Sequence, residues 1–443
     1  MKRALLISAL MLGASLTACG DGQWFGDDKE RPPLEGKRIS VLDFDKDLRP
    51  EDDVKGIASF AAGESWQNDT WPQAGGYPSH AMQNLALGKQ VEKVWSTDIG
   101  EGSRGNLPLT AQPVVAGKSI FTLDTEAILS AFNTEDGSKR WSVSVADETE
   151  EDEVISGGIA VADGFVYVTA GYDELLSVDA AKGEIKWRIK LTAPSRAAPT
   201  VIGNRVFVTT MANSILALDV ADGKVQWEYA GLSQGTGLIG AASPAATTDM
   251  VVPAFSSGEI YALRTANGSV AWTDNLANAL KLGGLGNLSD IRGLPVIDEN
   301  IVYAISYGGK FAAIDLNTGA RVWQKEISSA KTPWIAGNRA FVISTDGQII
   351  GIDKEKGTVL WVSQLARYKN KEDKTGPIIW NGPIMGGGRL MAFSSDGRVA
   401  EIDPEKGGLI REWNNGEDMR ISPLIAGGTL YILGEDGSLN AYR

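Results

Sequence analysis

One spacing constrains this chain more than anything else in it: an apolar strand, Asp or Asn, three turn residues, Gly, three further residues and Trp, returning again and again. The positions are Asn133, Gly137 and Trp141; Asp179, Gly183 and Trp187; Asp219, Gly223 and Trp227; Asp315, Gly319 and Trp323; Asp353, Gly357 and Trp361. In the unit ending at Trp272, Arg264 replaces the acid before Gly268, and in the unit of Asp403, Gly407 and Trp413 the turn is stretched by two residues. Trp95 stands ahead of the series with no turn of its own. From Trp95 to Arg443, eight such tryptophans share the chain at about 44 residues each, which falls within the ~40–45 residues of a four-stranded propeller blade.

Each part of the unit has a physical job. A short Asp or Asn side chain at a strand end accepts from the backbone N–H groups just ahead, and Gly takes the positive φ of the hairpin turn. Four residues later, Trp lies on the outgoing strand and projects against the neighbouring unit. That removes ~150–250 Å² from water, roughly 4–6 kcal/mol gross at about 25 cal/mol per Å². The third unit displays four strands, at 199–202, 205–210, 214–219 and 225–229, and runs such as Ile215-Leu216-Ala217-Leu218 are apolar on both faces, as in sheets sandwiched between neighbours. The predicted fold is all-β: an eight-bladed β-propeller of four-stranded antiparallel blades. The last unit offers only three strands, at 422–427, 429–434 and 438–442, while 91–99, carrying Trp95, is an outgoing strand without a sheet. Pairing the two closes the ring and removes the open edge; an open solenoid is the alternative arrangement of such units.

The first residues read differently. Lys2 and Arg3, an apolar run from Ala4 to Leu12, and Leu16-Thr17-Ala18-Cys19 form a signal peptide over 1–18 that ends at a cysteine, with an apolar run too short to span a bilayer. This end resembles the bacterial lipoprotein class, which implies lipid on Cys19. Gly20, rather than an aspartate, implies sorting to the outer membrane. Residues 19–65 are charged and aperiodic, as in Asp27-Asp28-Lys29-Glu30 and Arg49-Pro50-Glu51-Asp52-Asp53, and are expected to be a lipidated flexible tether with a weakly indicated strand at 39–44. The propeller is expected over 66–443, with repeats from about 90, and no later segment reads as a membrane span.

Charge and composition exclude several chemistries. A net charge of −14 rules out a nucleic-acid coat, which needs a basic face to release counterions, and favours basic partner surfaces. Cys19 is the only cysteine and His80 the only histidine, so no intramolecular disulfide, histidine triad or multi-histidine metal site exists. His80 sits in a Gly-Pro-rich stretch and reads as a structural or solvated loop residue. The acidic run Asp147 to Glu153 lacks the spacing of an EF-hand and reads as a solvated loop between blades. Asp346-Gly347, Asp396-Gly397 and Asp436-Gly437 fall where hairpin turns belong.

The repeated unit resembles the tryptophan-docking repeat of quinoprotein-type propellers over residues 90–443, a signature of fold and not of function. With the lipoprotein end, acidic tether and eight units, the chain resembles the BamB family of the outer-membrane β-barrel assembly machinery. The resemblance implies a non-enzymatic scaffold with no cofactor, lipid-anchored at the periplasmic face of the outer membrane and monomeric within a hetero-oligomeric complex. Its partners would be the POTRA domains of a BamA-like central subunit and unfolded outer-membrane proteins, with the membrane met through the lipid alone. The family's first contact loop, Leu-x-Leu-Arg-Gly, corresponds to 236–240, where Leu238 and Gly240 match and Thr236 and Ile239 replace Leu and Arg. The second, Leu-Ser-Asp-x-Asp, corresponds to 288–292, where Asp290 matches and Arg292 reverses a charge. Leu238, Ile239, Leu288, Asp290, Ile291 and Arg292 are thus expected to form a partner surface on one rim, with an apolar centre and charged edge; the competing reading has the apolar ones plugging space between blades. A quinoprotein dehydrogenase would need adjacent cysteines over its cofactor, which this chain lacks. A propeller holding a small ligand or glycan in its channel is the remaining alternative, with Trp334 and Trp380 as aromatic candidates.

Overall fold

The computed structural model describes residues 48–443 apart from 53–55, 147–154, 156, 171–172, 233–237, 239 and 278–288. Cys19, the strand at 39–44, the acidic run 147–153, Thr236, Ile239 and Leu288 lie outside the described residues. Eight four-stranded antiparallel sheets follow in chain order, at residues 114–144, 158–190, 200–230, 245–275, 296–325, 334–364, 380–414 and 424–442; they are blades 1 to 8. The first strands of successive blades lie side by side around the axis. Middle strands such as Ser119–Leu123 are buried along their whole length, whereas outgoing strands such as Lys139–Ser144 alternate exposed and half-buried residues. Lys93–Asp98 is the fourth strand of blade 8, antiparallel to Ser438–Tyr442 with Trp95 opposite Ala441. The ring is closed as the three-strand remainder predicts.

Seven tryptophans dock on the next blade. Each indole N–H donates to a backbone carbonyl there: Trp95 to Thr134, Trp141 to Ala180, Trp187 to Val220, Trp227 to Thr265, Trp272 to Leu316, Trp323 to Lys354 and Trp361 to Pro404, at 2.7–3.2 Å. The ring slides under the neighbour's turn glycine, so a Cβ on Gly319 (φ +73°) would come within 2.7 Å of Trp272. Glycine is needed there twice over, for its backbone conformation and for the space it leaves.

Trp413 does not follow the others, which corrects the expectation drawn from the spacing. In blade 6 Trp361 lies opposite Gly351; in blade 7 the equivalent pair is Arg411 opposite Glu401, and Trp413 lies two residues further along, opposite Val399. The two extra residues therefore displace the indole by one period of the strand and do not lengthen the turn. Its N–H donates to Glu401 Oε1 at 3.1 Å. That carboxylate also pairs with Arg389 at 2.8 Å and Arg411 at 2.7 Å, a charged cluster in place of the cross-blade indole hydrogen bond, while the displaced ring leans on Tyr442 of blade 8.

Residues 68–85 make a circuit of the axis that the repeat did not announce. Backbone N–H groups at or just past the first strand of every blade donate to this segment. Gly427 of blade 8 donates to the Asn68 carbonyl (2.7 Å), Val115 of blade 1 to Trp71 (2.8 Å), Val161 of blade 2 to Pro72 (2.7 Å), Ala246 of blade 4 to Pro78 (2.7 Å), Ile297 of blade 5 to Ser79 (2.8 Å) and Gly387 beside blade 7 to Leu85 (2.8 Å). In blades 3 and 6 a glutamine side chain substitutes for backbone: Val201 N–H donates to Gln73 Oε1 at 2.8 Å and Gly337 N–H to Gln83 Oε1 at 3.1 Å. Upstream, Glu51 N–H donates to the Val359 carbonyl (2.9 Å), and Phe60 packs edge-on against Phe341.

Replacing Trp272 by Ala should cost ~3–5 kcal/mol, as for other large buried aromatics, because a docked ring and its cross-blade hydrogen bond are both lost. Trp413→Ala should cost clearly less, since Glu401 keeps both arginines. Urea unfolding of the two variants ranks them; equal or reversed losses would remove docking as the reason for the spacing.

Candidate functional site

The girdle lies across one end of the channel, and the segments leading into the first strands gather at the other. Together they enclose a cavity of about 500 Å³, with Trp71, Gly75 and His80 of the girdle on its wall and a contribution from the lead-in segment of every blade. Four cationic side chains reach it: Arg196, Arg292, Lys331 and Arg420. Lys331 Nζ donates to Asn381 Oδ1; burial, reinforced by the nearby charges of Arg292 and Arg420, pushes its ammonium down to about 7. Arg420 pairs with Glu435 at 2.6 Å.

Four of the residues expected at the partner surface meet beside this mouth. Leu238, Asp290, Ile291 and Arg292 share a smaller cleft of about 100 Å³ with Met211, Asn213 and Phe255. The two loops touch directly: the Leu238 N–H supports the Asp290 carboxylate, and the Arg292 guanidinium lies over Gly240. Burial raises the Asp290 carboxyl above the usual range, while the Leu238 N–H, its own N–H and Arg292 hold it partly down.

Burial amends the expected anatomy. Asp290 is 4% exposed and Ile291 2%, because the Tyr307 N–H donates to the Asp290 carbonyl (2.8 Å) and the Ile291 N–H to Phe255 (3.3 Å), drawing the chain inward between blades 4 and 5. Ile291 packs with Ala254, Ile260 and Ile297, so it plugs space between blades. The exposed apolar groups nearby are ones the sequence did not single out: Met211 at 44% and Leu232 at 64%. Of the aromatic candidates for a channel ligand, Trp334 lines the cavity, while Trp380 is buried and donates to the Ala366 carbonyl. The cationic ring had a signal that went unread, Arg-x-x-Pro ahead of the first strand in Arg196–Pro199, Arg292–Pro295 and Arg420–Pro423, with Lys331-x-Pro333 as a shortened form.

Tryptophan-docked blades, a girdle that closes the axis at one end and loops held at the other define a rigid β-propeller scaffold of the quinoprotein-like type. A family model described as outer membrane protein assembly factor BamB matches residues 127–363, over half of the chain, and the chain belongs to that family. BamB of Escherichia coli K12 and of Shigella dysenteriae serotype 1 are each 32% identical over 252 residues, 56% of this chain and 64% of theirs. The match thus spans less than two thirds of those relatives. The crystal structure of BamB from Moraxella catarrhalis superposes with a TM-score of 0.68 at 23% identity, covering 80% of this chain and all of that one. Quinohemoprotein alcohol dehydrogenase from Comamonas testosteroni does so with 0.65 at 13%, covering 85% and 81%; at these identities both share the fold alone.

His80 ties the girdle to blade 5 and gives it a pH response. Its backbone is left-handed (φ 62°), its Nδ1 hydrogen-bonds the Pro295 carbonyl at 2.7 Å, and burial lowers the imidazole from 6.5 to about 4. The unfolded chain therefore takes up the proton first. The stabilisation is complete above about pH 6.5 and falls as pH drops toward 4, by about 3 kcal/mol in total. His80→Asn, which tolerates the same φ, should flatten the fall in stability between pH 7 and 4.5 relative to wild type in chemical unfolding; parallel pH profiles would contradict the assignment.

Proposed function

We propose that this chain is a non-enzymatic scaffold lipoprotein of outer-membrane protein assembly, anchored at the periplasmic face of the outer membrane through lipid on Cys19. The signal peptide 1–18 and tether 19–65 would precede a propeller over 66–443. Through the loops of blades 3 to 5 it binds the POTRA domains of a BamA-like central subunit and assists insertion of β-barrel proteins. The observation that carries this reading is the meeting of Leu238 and Gly240 with Asp290, Ile291 and Arg292 in one cleft, beside exposed Met211 and Leu232. Loops displayed on a rigid scaffold are usual binding sites, and an apolar centre within a polar rim is interface anatomy. Family membership and the relatives' name, outer membrane protein assembly factor, support it from a second side.

In this reading Met211, Leu232 and Leu238 make the apolar contact, together with Ile239 and Leu288, and Arg292 supplies the charge. Buried Asp290 and Ile291 hold the loops in place. The chain's net charge of −14 suits a basic partner face. Leu232→Asp combined with Leu238→Asp should weaken pull-down of the central barrel subunit at least ~30-fold, since anchors at interface centres are worth ~2 kcal/mol or more, with unchanged circular dichroism and melting. Undiminished pull-down by a folded double variant would move the contact elsewhere on the propeller.

A further inference from the structure

The axial cavity has a chemistry that docking at its rim uses only through Arg292. In a chain of net charge −14, its described lining carries Arg196, Arg292, Lys331 and Arg420 and not one carboxylate. These cations come from blades 3, 5, 6 and 8, each placed by the short segment entering its blade's first strand, so they converge from around the axis. Among the described residues, neither Arg196 nor Lys331 has a carboxylate within ion-pair distance; the nearest help to Arg292 is buried Asp290, and Arg420 alone has an acidic partner, Glu435. Gathering like charges at a half-buried wall raises the energy of the empty site; the Lys331 ammonium is lowered first by its burial and further by Arg292 and Arg420. Much of the rest of the wall is apolar, with Trp71, Leu109, Trp334 and Ile421 among its residues, and the neutral polar groups Gln112, Ser243 and Asn381 stand between them.

We propose that this cavity binds a small organic polyanion of the di- or tricarboxylate or phosphate-ester class, its acidic groups taken by Arg196, Arg292, Lys331 and Arg420 and its carbon body by the apolar wall. Guanidinium groups suit planar carboxylate and tetrahedral phosphate alike through paired N–H donors. At about 500 Å³ the space is that of a small-molecule site. The proposal does not rest on the docking reading, and its key residue, Lys331, lies outside the surface invoked there.

The test titrates the mature chain with citrate, with inorganic phosphate and, as a cationic control, with choline, at pH 6 and constant ionic strength. It follows tryptophan emission, to which Trp71 and Trp334 report, and the melting temperature. Citrate should bind saturably with one site per chain and raise the melting temperature, phosphate should bind the same site at least tenfold more weakly, and choline should do neither. Lys331→Met should weaken citrate at least tenfold while leaving the ligand-free melting temperature unchanged or higher, because a crowded cation is removed. A non-saturating response, or one that is the same in wild type and in Lys331→Met, would overturn the site. So would saturable binding of choline at the same site.

Discussion

Eight sheets set around an axis leave eight inner edges, and the fate of their backbone donors governs the rest of this structure. An unpaired strand edge is both an unsatisfied hydrogen-bonding row and a template for pairing with another chain. Here one short segment answers all eight. Asn68, Trp71, Pro72, Gln73, Pro78, Ser79, Gln83 and Leu85 each accept from a different blade, in ring order. A hydrogen bond contributes roughly 0.5–1.5 kcal/mol net, but a buried donor left without a partner costs ~1–3 kcal/mol, so the larger effect of the circuit is the penalty it prevents. The same segment turns an open channel into a cup, which gives the opposite mouth an enclosed floor.

Between blades, the indole N–H bonds and the glycines above them repeat with little variation, and the departure at blade 7 has a structural reason. Blade 8 is the composite blade, whose third and fourth strands come from opposite ends of the propeller, so no Asp-to-Gly turn joins them to receive a ring from blade 7. Arg411 stands where a tryptophan docks elsewhere, opposite Glu401 instead of a small residue. The Glu401, Arg389 and Arg411 cluster fastens this seam by charge; Arg389 also reaches the Gly88 carbonyl at 2.8 Å, tying the seam to the chain just before the closing strand. A buried carboxylate with two arginine partners is satisfied.

The architecture was legible because its cause is local: Gly319 and Trp272 are fixed by a turn and a ring that any sequence of this spacing must accommodate. Strand number, blade length and closure through Trp95 followed from it. What stayed illegible depends on long-range geometry. Nothing local marks Gln73 and Gln83 as substitutes for backbone, since their partners are 128 and 254 residues away. The depth of Ile291 was equally hidden, because a hydrogen bond to Phe255 sets it, and the loop resemblance carried its residue identities without their exposure. Arg196, Arg292 and Arg420 lie between the two cases: their common offset from a proline was present in the sequence, and only the ring shows that a shared offset means a shared wall.

The cup, its floor and its loops all presuppose that the girdle pins every blade. Amide hydrogen exchange on the intact protein tests this most directly, read at Val115, Val161, Val201, Ala246, Ile297, Gly337, Gly387 and Gly427. If the circuit holds, these eight amides exchange as slowly as those of the neighbouring second strands, and as one group, since they open only with larger unfolding. Fast exchange at these positions, typical of free sheet edges, with the second strands still protected, would contradict the account.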